Sequence, residues 1–492
     1  MSDDVMDGKT GRRIVLGPFN RVEGDLEVSL DIADGVVRSA RVNSPLYRGF
    51  EQILQGKVPA DALTFVPRIC GICSVAQSAA AALALAGAMD MVPPKNGRLA
   101  ADLTLAAENL ADHLTHFYIF FMPDFARAAY AERSWFATTE ARFKAQIGSA
   151  SHDALAARSD FMRVQGLLAG KWPHTLSLQP GGSSRPLQAS EKIRLYRQIR
   201  SFRQFCETVL FGDRLEAIAD LASEADLARW LASHRDGSDF ARFLALAEDL
   251  QLHTLGRATD TFLSVGAYTN DGNPWLARGV WEAGQVRPFD SADVREDLSH
   301  AWYAEAETTQ APALASTLPL VDKEGAYSWC KAPRLAGKVV ETGALARQLV
   351  AGHPLAQDLV ARDGGNVKSR VVGRLLEIAR LVMAMEGWAQ DLTPGEPYCI
   401  FGDMPEEADS VGLVEAARGS LGHWLSVRRG RIHNYQIIAP TTWNFSPRDA
   451  AGVPGALEQA LAGTPVGTGE DGLPSVQHIV RSFDPCMVCT VH

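Results

Sequence analysis

Cysteine is scarce in this chain. Seven in 492 residues is too few for a secreted disulfide scaffold, and three of them, Cys206, Cys330 and Cys399, stand alone. Such usage fits a reducing cytoplasm. Long apolar runs are missing too: no segment approaches the roughly 18 uninterrupted apolar residues of a membrane span, and Ala79 to Met89, apolar but short, reads as a buried helix. The start from Met1 to Gly11 is acidic and polar. The Arg12-Arg13 doublet is followed only by Ile14-Val15-Leu16 before Gly17-Pro18, too short for the apolar stretch of an export signal. Basic runs are absent as well. With a net charge of -10 and 22% charged residues, nothing follows a phosphate backbone, and no nucleic-acid partner is expected. There is no internal repeat and no low-complexity tail.

The four remaining cysteines form two Cys-x-x-Cys pairs, Cys70/Cys73 and Cys486/Cys489, with Cys73 and Cys486 separated by 413 positions. Each pair offers two thiolates from one tight turn, and together they make a four-sulfur site for a soft or borderline metal. Structural zinc usually keeps its pairs about 15 to 20 residues apart, within one small module. Here the whole chain must fold first. The spacing therefore favours a transition-metal site, with structural zinc and a redox disulfide as alternatives. Because the ends must meet, residues 1–492 are expected to form a single interlocked domain.

From Leu26 the pattern Leu26, Val28, Leu30, Ile32 alternates with polar residues, Asp34-Gly35 supplies a turn, and Val36 to Val42 returns, which predicts a β-hairpin close behind Glu23. Beyond Cys73, Leu99, Leu103, Ala106, Leu110, Leu114 and Phe117 recur at helical spacing and predict a long buried helix. Further helical stretches are expected over 187–234, 239–265, 341–363 and 366–391. The segment 267–335 is mixed. Gly and Pro cluster between Gly452 and Pro474, around a short helix at Ala456 to Leu461, and read as a surface excursion. The expected class is mainly α (α+β), with long core helices and peripheral β-hairpins.

The flanks of the cysteine pairs read Arg68-Ile69-Cys70-Gly71-Ile72-Cys73 and Asp484-Pro485-Cys486-Met487-Val488-Cys489-Thr490-Val491-His492. They resemble the two metal-binding signatures of nickel-iron hydrogenase large subunits. The resemblance runs the length of the chain. It takes in Arg21-Val22-Glu23-Gly24, Tyr47-Arg48-Gly49-Phe50-Glu51, Lys331-Ala332-Pro333-Arg334, Arg418-Gly419 ahead of His423-Trp424, Asn434-Tyr435-Gln436, and Pro440-Thr441-Thr442-Trp443-Asn444.

The resemblance implies the multihelical hydrogenase large-subunit fold and cleavage of dihydrogen into protons and electrons. Cys70 and Cys486 are implied as terminal thiolates on nickel, and Cys73 and Cys489 as bridges to an iron carrying cyanide and carbon monoxide. Heterolytic cleavage needs a base beside the metal; Cys486 is implied as that first proton acceptor and Glu23 as the gate of the relay beyond it. Glu51, His492 and the backbone carbonyl of Ile437 match the ligands of magnesium or another hard divalent cation. Arg418, fixed by Asp112 and Asp484, is implied over the metals, with Pro440 and Thr441 at the diatomic ligands. Electrons would pass to iron-sulfur clusters in a small subunit, since this chain has no further cysteine cluster to hold its own.

The departures point to a branch. The family commonly has His where this chain has Asp25 and Gln77, and Pro where it has Ala417. Gln77 can hydrogen-bond but cannot titrate. Ile72 and Phe120 match the pair at the inner end of the gas channel, where many members have smaller Val and Leu; bulk there should hinder dioxygen more than dihydrogen. Ordinary core packing is the other reading of both. This combination, and a chain ending at His492 without an extension, resembles the regulatory, dihydrogen-sensing branch. That branch implies low turnover, a cytoplasmic location, a dimer of heterodimers and a signalling histidine kinase. An energy-conserving uptake subunit is the first alternative, and a cysteine-bound structural metal scaffold is the alternative of another class.

Overall fold

In a computed structural model, which describes residues 11–234, 237–270, 273–304, 309–467 and 473–492, the alternation from Leu26 becomes strands Glu27–Ala33 and Val36–Asn43. They pair antiparallel with Leu30 opposite Ala40, and Gly11–Leu16 adds on the other edge. Leu26, Val28, Leu30 and Val42 are buried, as period-two patterning requires. Asp34 and Gly35 turn at φ 56° and 70°, the left-handed geometry that suits strand twist.

Helix Ser74–Ala88 begins directly after Cys73 and is built mainly of small side chains. Small residues permit close approach. A sheet uses it: Gly412 lies so near that a Cβ there would sit 2.0 Å from the Ala80 carbonyl oxygen. The predicted long helix is Lys95–Thr115, running on through a wider π turn over His116–Phe121, and every member of the Leu99-to-Phe117 series is buried. Beside it packs Val367–Asp391, whose first turn is capped by Asn366, accepting from the Ser369 N–H at 3.0 Å.

Strands Glu407–Ala416, Gly419–Arg428 and Arg431–Ile438 form an antiparallel meander in that order. Residues 419–427 of the central strand are all buried. The mixed, mainly helical class is as the sequence indicates; in this sheet the central strand is buried while Glu407, Asp409, Arg431 and His433 at one end of its neighbours are exposed.

Two expectations fail. Of 239–265, only Asp239–Asp249 is a regular helix; Thr261–Asn270 is a strand between Asn273–Glu282 and Glu341–Thr342. Tertiary pairing there overrides a short apolar run that periodicity alone reads either way. The stretch after Gly452 is no surface excursion. Helix Ala456–Leu461 is buried against Val36–Asn43, the Glu458 carboxylate accepts from the Val42 N–H at 3.0 Å, and the Val37 N–H donates to the Thr464 carbonyl at 3.0 Å. Residues 468–472 of that stretch lie outside the described ones. No helix among the described residues is long and apolar enough to cross a membrane.

The two ends of the chain meet. The Glu23 N–H donates to the Pro485 carbonyl at 3.3 Å, and the Met487 N–H donates to the Glu23 carbonyl at 2.7 Å. Gly24 makes that contact possible: at φ 79°, its Cβ would stand 2.9 Å from Val488 Cγ1.

Candidate metal centre

Cys73 caps the start of Ser74–Ala88, so the first pair lies just before a helix, and Cys486 caps the single turn Met487–Thr490, which contains Cys489. All four cysteines are buried, and their sulfurs lie within 4.8 Å of one another. The spacings are unequal. Cys73 and Cys489 are 2.8 Å apart, Cys486 and Cys489 3.2 Å, Cys70 and Cys486 3.4 Å, and Cys73 and Cys486 4.0 Å. One tetrahedral zinc with Zn–S bonds of ~2.3 Å would hold every pair near ~3.8 Å. The short Cys73–Cys489 edge suits two sulfurs that share a pair of metals. Burial pushes the Cys73 and Cys489 thiols up, while bonding to the neighbouring sulfurs draws Cys70 well below its ordinary value despite burial. One thiolate among thiols that resist ionisation is a site that a cation would complete.

A cavity of about 10 Å³ adjoins the sulfurs, walled by Cys73, Cys486 and Cys489 on one side and by Gln77, Arg418, Pro440 and Thr441 on the other. That is room for one very small molecule. The amide nitrogen of Gln77 is buried with no hydrogen-bond partner among the described residues, a donor left for something in this space. Its oxygen lies 2.8 Å from His423 Nε2, and His423 Nδ1 is 2.8 Å from the Tyr435 hydroxyl. Burial lowers His423 to about 3, so the ring is neutral. The Thr441 hydroxyl accepts from the Cys486 N–H at 3.2 Å, and its own hydrogen remains to be donated.

Arg418 is gripped from two sides. Its Nη2 donates to Asp112 Oδ1 at 3.2 Å and Asp484 Oδ1 at 3.1 Å, its Nε donates to the Asp484 carbonyl at 2.9 Å, and its Nη1 lies 2.6 Å from Asp112 Oδ2. Burial, helped by the charges of Asp484 and Cys486, raises Asp112 to about 7 against the pull of Arg418; Asp484, equally buried, is lowered because Arg418, His116 and Arg374 outweigh its desolvation. Gly419 lets the chain pass: at φ 132°, a Cβ would stand 2.4 Å from Thr342 Oγ1.

Glu23 is half-buried beside Cys486, and its carboxyl is raised by burial and by the Cys486 charge, with Arg418 opposing. Below the quartet, Glu51 lies 3.2 Å from His492 Nε2 and accepts from the Ile437 N–H at 2.9 Å, from Lys331 at 2.9 Å and from Thr317. Despite complete burial, Lys331, His492 and Thr317 hold Glu51 well below the carboxylate range. The Ile437 N–H is thus the group that meets Glu51. Glu296 is buried with Lys331 Nζ 3.5 Å away, and burial raises it to about 7 against the pull of that ammonium. The same Nζ stands 2.9 Å from Glu51, and the carboxylates and imidazole here are donors of the kind a divalent cation takes.

Ile72 is half-buried against the core, and Phe120 is half-buried with its carbonyl accepting from Arg21 at 3.1 Å. Neither lines the cavity at the sulfurs. Sequence reasoning missed Glu108, which accepts from the Val75 and Ala76 N–H groups at 3.0 Å each and so fixes the turn after Cys73. Its place four residues before Asp112 on one helix face was the available signal. Glu296 and Thr317 gave none.

The sequence profile of nickel-dependent hydrogenases matches residues 48–141 and 145–492. The chain belongs to that family. It is a large subunit of nickel-iron hydrogenase, and the family implies nickel, iron and a small subunit as partner. It is 30% identical to the periplasmic [NiFeSe] hydrogenase large subunit of Desulfomicrobium baculatum, over 99% of this chain and 95% of that one. It is 27% identical to the hydrogenase-2 large chain of Escherichia coli (98% and 97% covered) and 27% identical to the uptake hydrogenase large subunit of Cupriavidus necator (98% and 95%). The solved Ni-Fe-Se hydrogenase from D. vulgaris Hildenborough in the reduced state superposes with TM-score 0.83 at 29% identity, covering 98% of this chain and 100% of that one. None of these four relatives is named as a sensor.

Proposed function

We propose that this large subunit, as one interlocked domain, binds dihydrogen at the sulfur quartet and cleaves it heterolytically. The observation that carries the reading is the backbone pairing that sets Glu23 against the Cys486 turn, beside a cavity sized for a very small molecule. Cys70, Cys73, Cys486 and Cys489 would hold nickel and an iron with cyanide and carbon monoxide ligands, which when bound supply the Lewis acidity that polarises dihydrogen. Cys486 Sγ takes the proton. Glu23 receives it next, because an isolated charge in a dry pocket is costly and burial already raises its proton affinity. Arg418, held by Asp112 and Asp484, presents a fixed cation to the site, while Thr441, Gln77 and Pro440 line the space for the diatomic ligands. Glu51, His492 and the Ile437 carbonyl would hold magnesium or a similar cation. Electrons would pass to iron-sulfur clusters in the small subunit.

Infrared spectroscopy of the purified heterodimer tests the centre: cyanide and carbon monoxide bands are expected, and Cys486→Ser should abolish nickel-dependent activity, since a hydroxyl is a harder ligand and a far weaker acid than a thiol. A zinc-only metal content with no such bands would establish the scaffold alternative.

For the physiological role we propose cytoplasmic dihydrogen sensing, within a dimer of heterodimers that signals to a histidine kinase; Ile72, Phe120 and the non-titrating Gln77 support it. Uptake is the second reading, favoured by the Cupriavidus relative's name. Deleting the gene in its host separates them. Loss of dihydrogen-dependent induction of other hydrogenases supports sensing; loss of bulk dihydrogen consumption with induction intact supports uptake.

A further inference from the structure

Arg347 is fully buried, on a helix, Ala344–Val350, that is itself buried along its length. All five N–H donors of its guanidinium are used. Nε and Nη2 donate to the two oxygens of Glu377 at 2.8 and 2.7 Å. Nη1 donates to Glu415 Oε2 at 2.8 Å and to the Ala416 carbonyl at 2.8 Å, and Nη2 also donates to the Ala417 carbonyl at 3.0 Å. Only an arginine has five donors in a rigid fork. Because desolvation offsets much of what such a buried pair gains, stability alone does not account for it. What it fixes is more informative.

Ala416 and Ala417 are the two residues before Arg418. Glu415, which precedes them, also accepts from the Ser420 hydroxyl at 2.6 Å and the Val265 N–H at 2.8 Å, so the chain is held on both sides of Arg418. Glu377 in turn lies 3.0 Å from His113 Nε2, and His113 adjoins Asp112, the carboxylate that Arg418 grips. One guanidinium therefore fixes the peptide that launches Arg418 and, through Glu377, the helical turn that receives it.

We propose that Arg347 is a positioning residue for dihydrogen cleavage: by holding the Ala416 and Ala417 carbonyls, it sets how far the Arg418 guanidinium reaches over the sulfur quartet. The inference rests on the role given to Arg418 above. Lysine at 347 would keep the charge but offer three donors from one point, too few to span two carboxylates and two carbonyls. Arg418 would then move.

The test uses the intact heterodimer, as Arg347→Lys, Arg418→Lys and the double variant. Arg347→Lys is expected to retain nickel and iron at the parent's stoichiometry, to lower kcat by about tenfold with little change in KM, and to shift the cyanide and carbon monoxide infrared bands. The double variant should be within about twofold of Arg418→Lys, because both changes act through one group. Parental kcat and bands in Arg347→Lys would overturn the proposal while leaving the Arg418 reading intact, as would losses that multiply in the double variant. Parental kcat in Arg418→Lys would overturn the reading itself. Where Arg347→Lys gives no folded heterodimer, Glu377→Gln, which weakens the anchor of the fork, is expected to shift the same bands, and unshifted bands would overturn the proposal.

Discussion

Asp124→Asn tests how the Glu23 loop is anchored. Asp124 is buried and binds Arg21, two residues before Glu23, and Arg481, three before Asp484; the Arg481 contact is 2.8 Å and that guanidinium is 1% exposed. The substitution keeps shape and removes the charge, leaving Arg481 with the Asn20 oxygens and Gln477 but no anion. Breaking one side of a buried pair costs about 3–5 kcal/mol. With an unfolding entropy of roughly 2.1 cal/mol/K per residue, or about 1 kcal/mol/K for the whole chain, the midpoint should fall by about 3–5 °C. The pH dependence has a definite sign. Burial would raise Asp124, but His478, Arg481 and Arg21 together hold it well below its ordinary 3.8, so the folded state binds fewer protons than the unfolded one. The contribution is complete above the unfolded value and is lost as pH falls through the folded one. Thermal unfolding of parent and variant from pH 8 to pH 3 should show a constant gap down to about pH 5 and a shrinking one below about pH 4. A gap that is independent of pH across that range, or below about 1 kcal/mol throughout, would refute the reasoning.

Glu23→Gln keeps size and hydrogen bonding but cannot carry a proton, so hydrogen-deuterium exchange should be lost with the metals still bound; exchange at the parental rate would remove Glu23 from the relay. Replacing Ile72 with Val and Phe120 with Leu removes bulk without changing polarity. The double variant should inactivate in air while the parent survives, and a parent that already inactivates rapidly in air would refute the channel argument.

Ligand chemistry was legible because it demands particular residues at particular spacings. Cys70, Cys73, Cys486 and Cys489 could be paired from sequence, and Asp112, a carboxylate inside an apolar helix, announced a buried partner that proved to be Arg418. The helix Lys95–Thr115 was legible for the same reason, since its period repeats over five turns. Thr261–Asn270 was not, because what makes it a strand is the neighbour it pairs with. Ala456–Leu461 was hidden by the glycines and prolines around it. Arg347 gave no signal at all: an arginine on a helix ordinarily faces water, and only the tertiary arrangement shows five acceptors converging on it.

The closure of Glu23 onto Pro485 and Met487 has a consequence for biosynthesis. Cys70 and Cys73 leave the ribosome long before Cys486, with the inner pair 413 positions apart. At about 5–20 residues per second, that is roughly 20–80 s during which half of the sulfur quartet exists without the other half. The centre can be completed only by a segment made long after the first pair, which must dock against the Glu23 turn, so occupation of the site by metal and closure of the fold are coupled events.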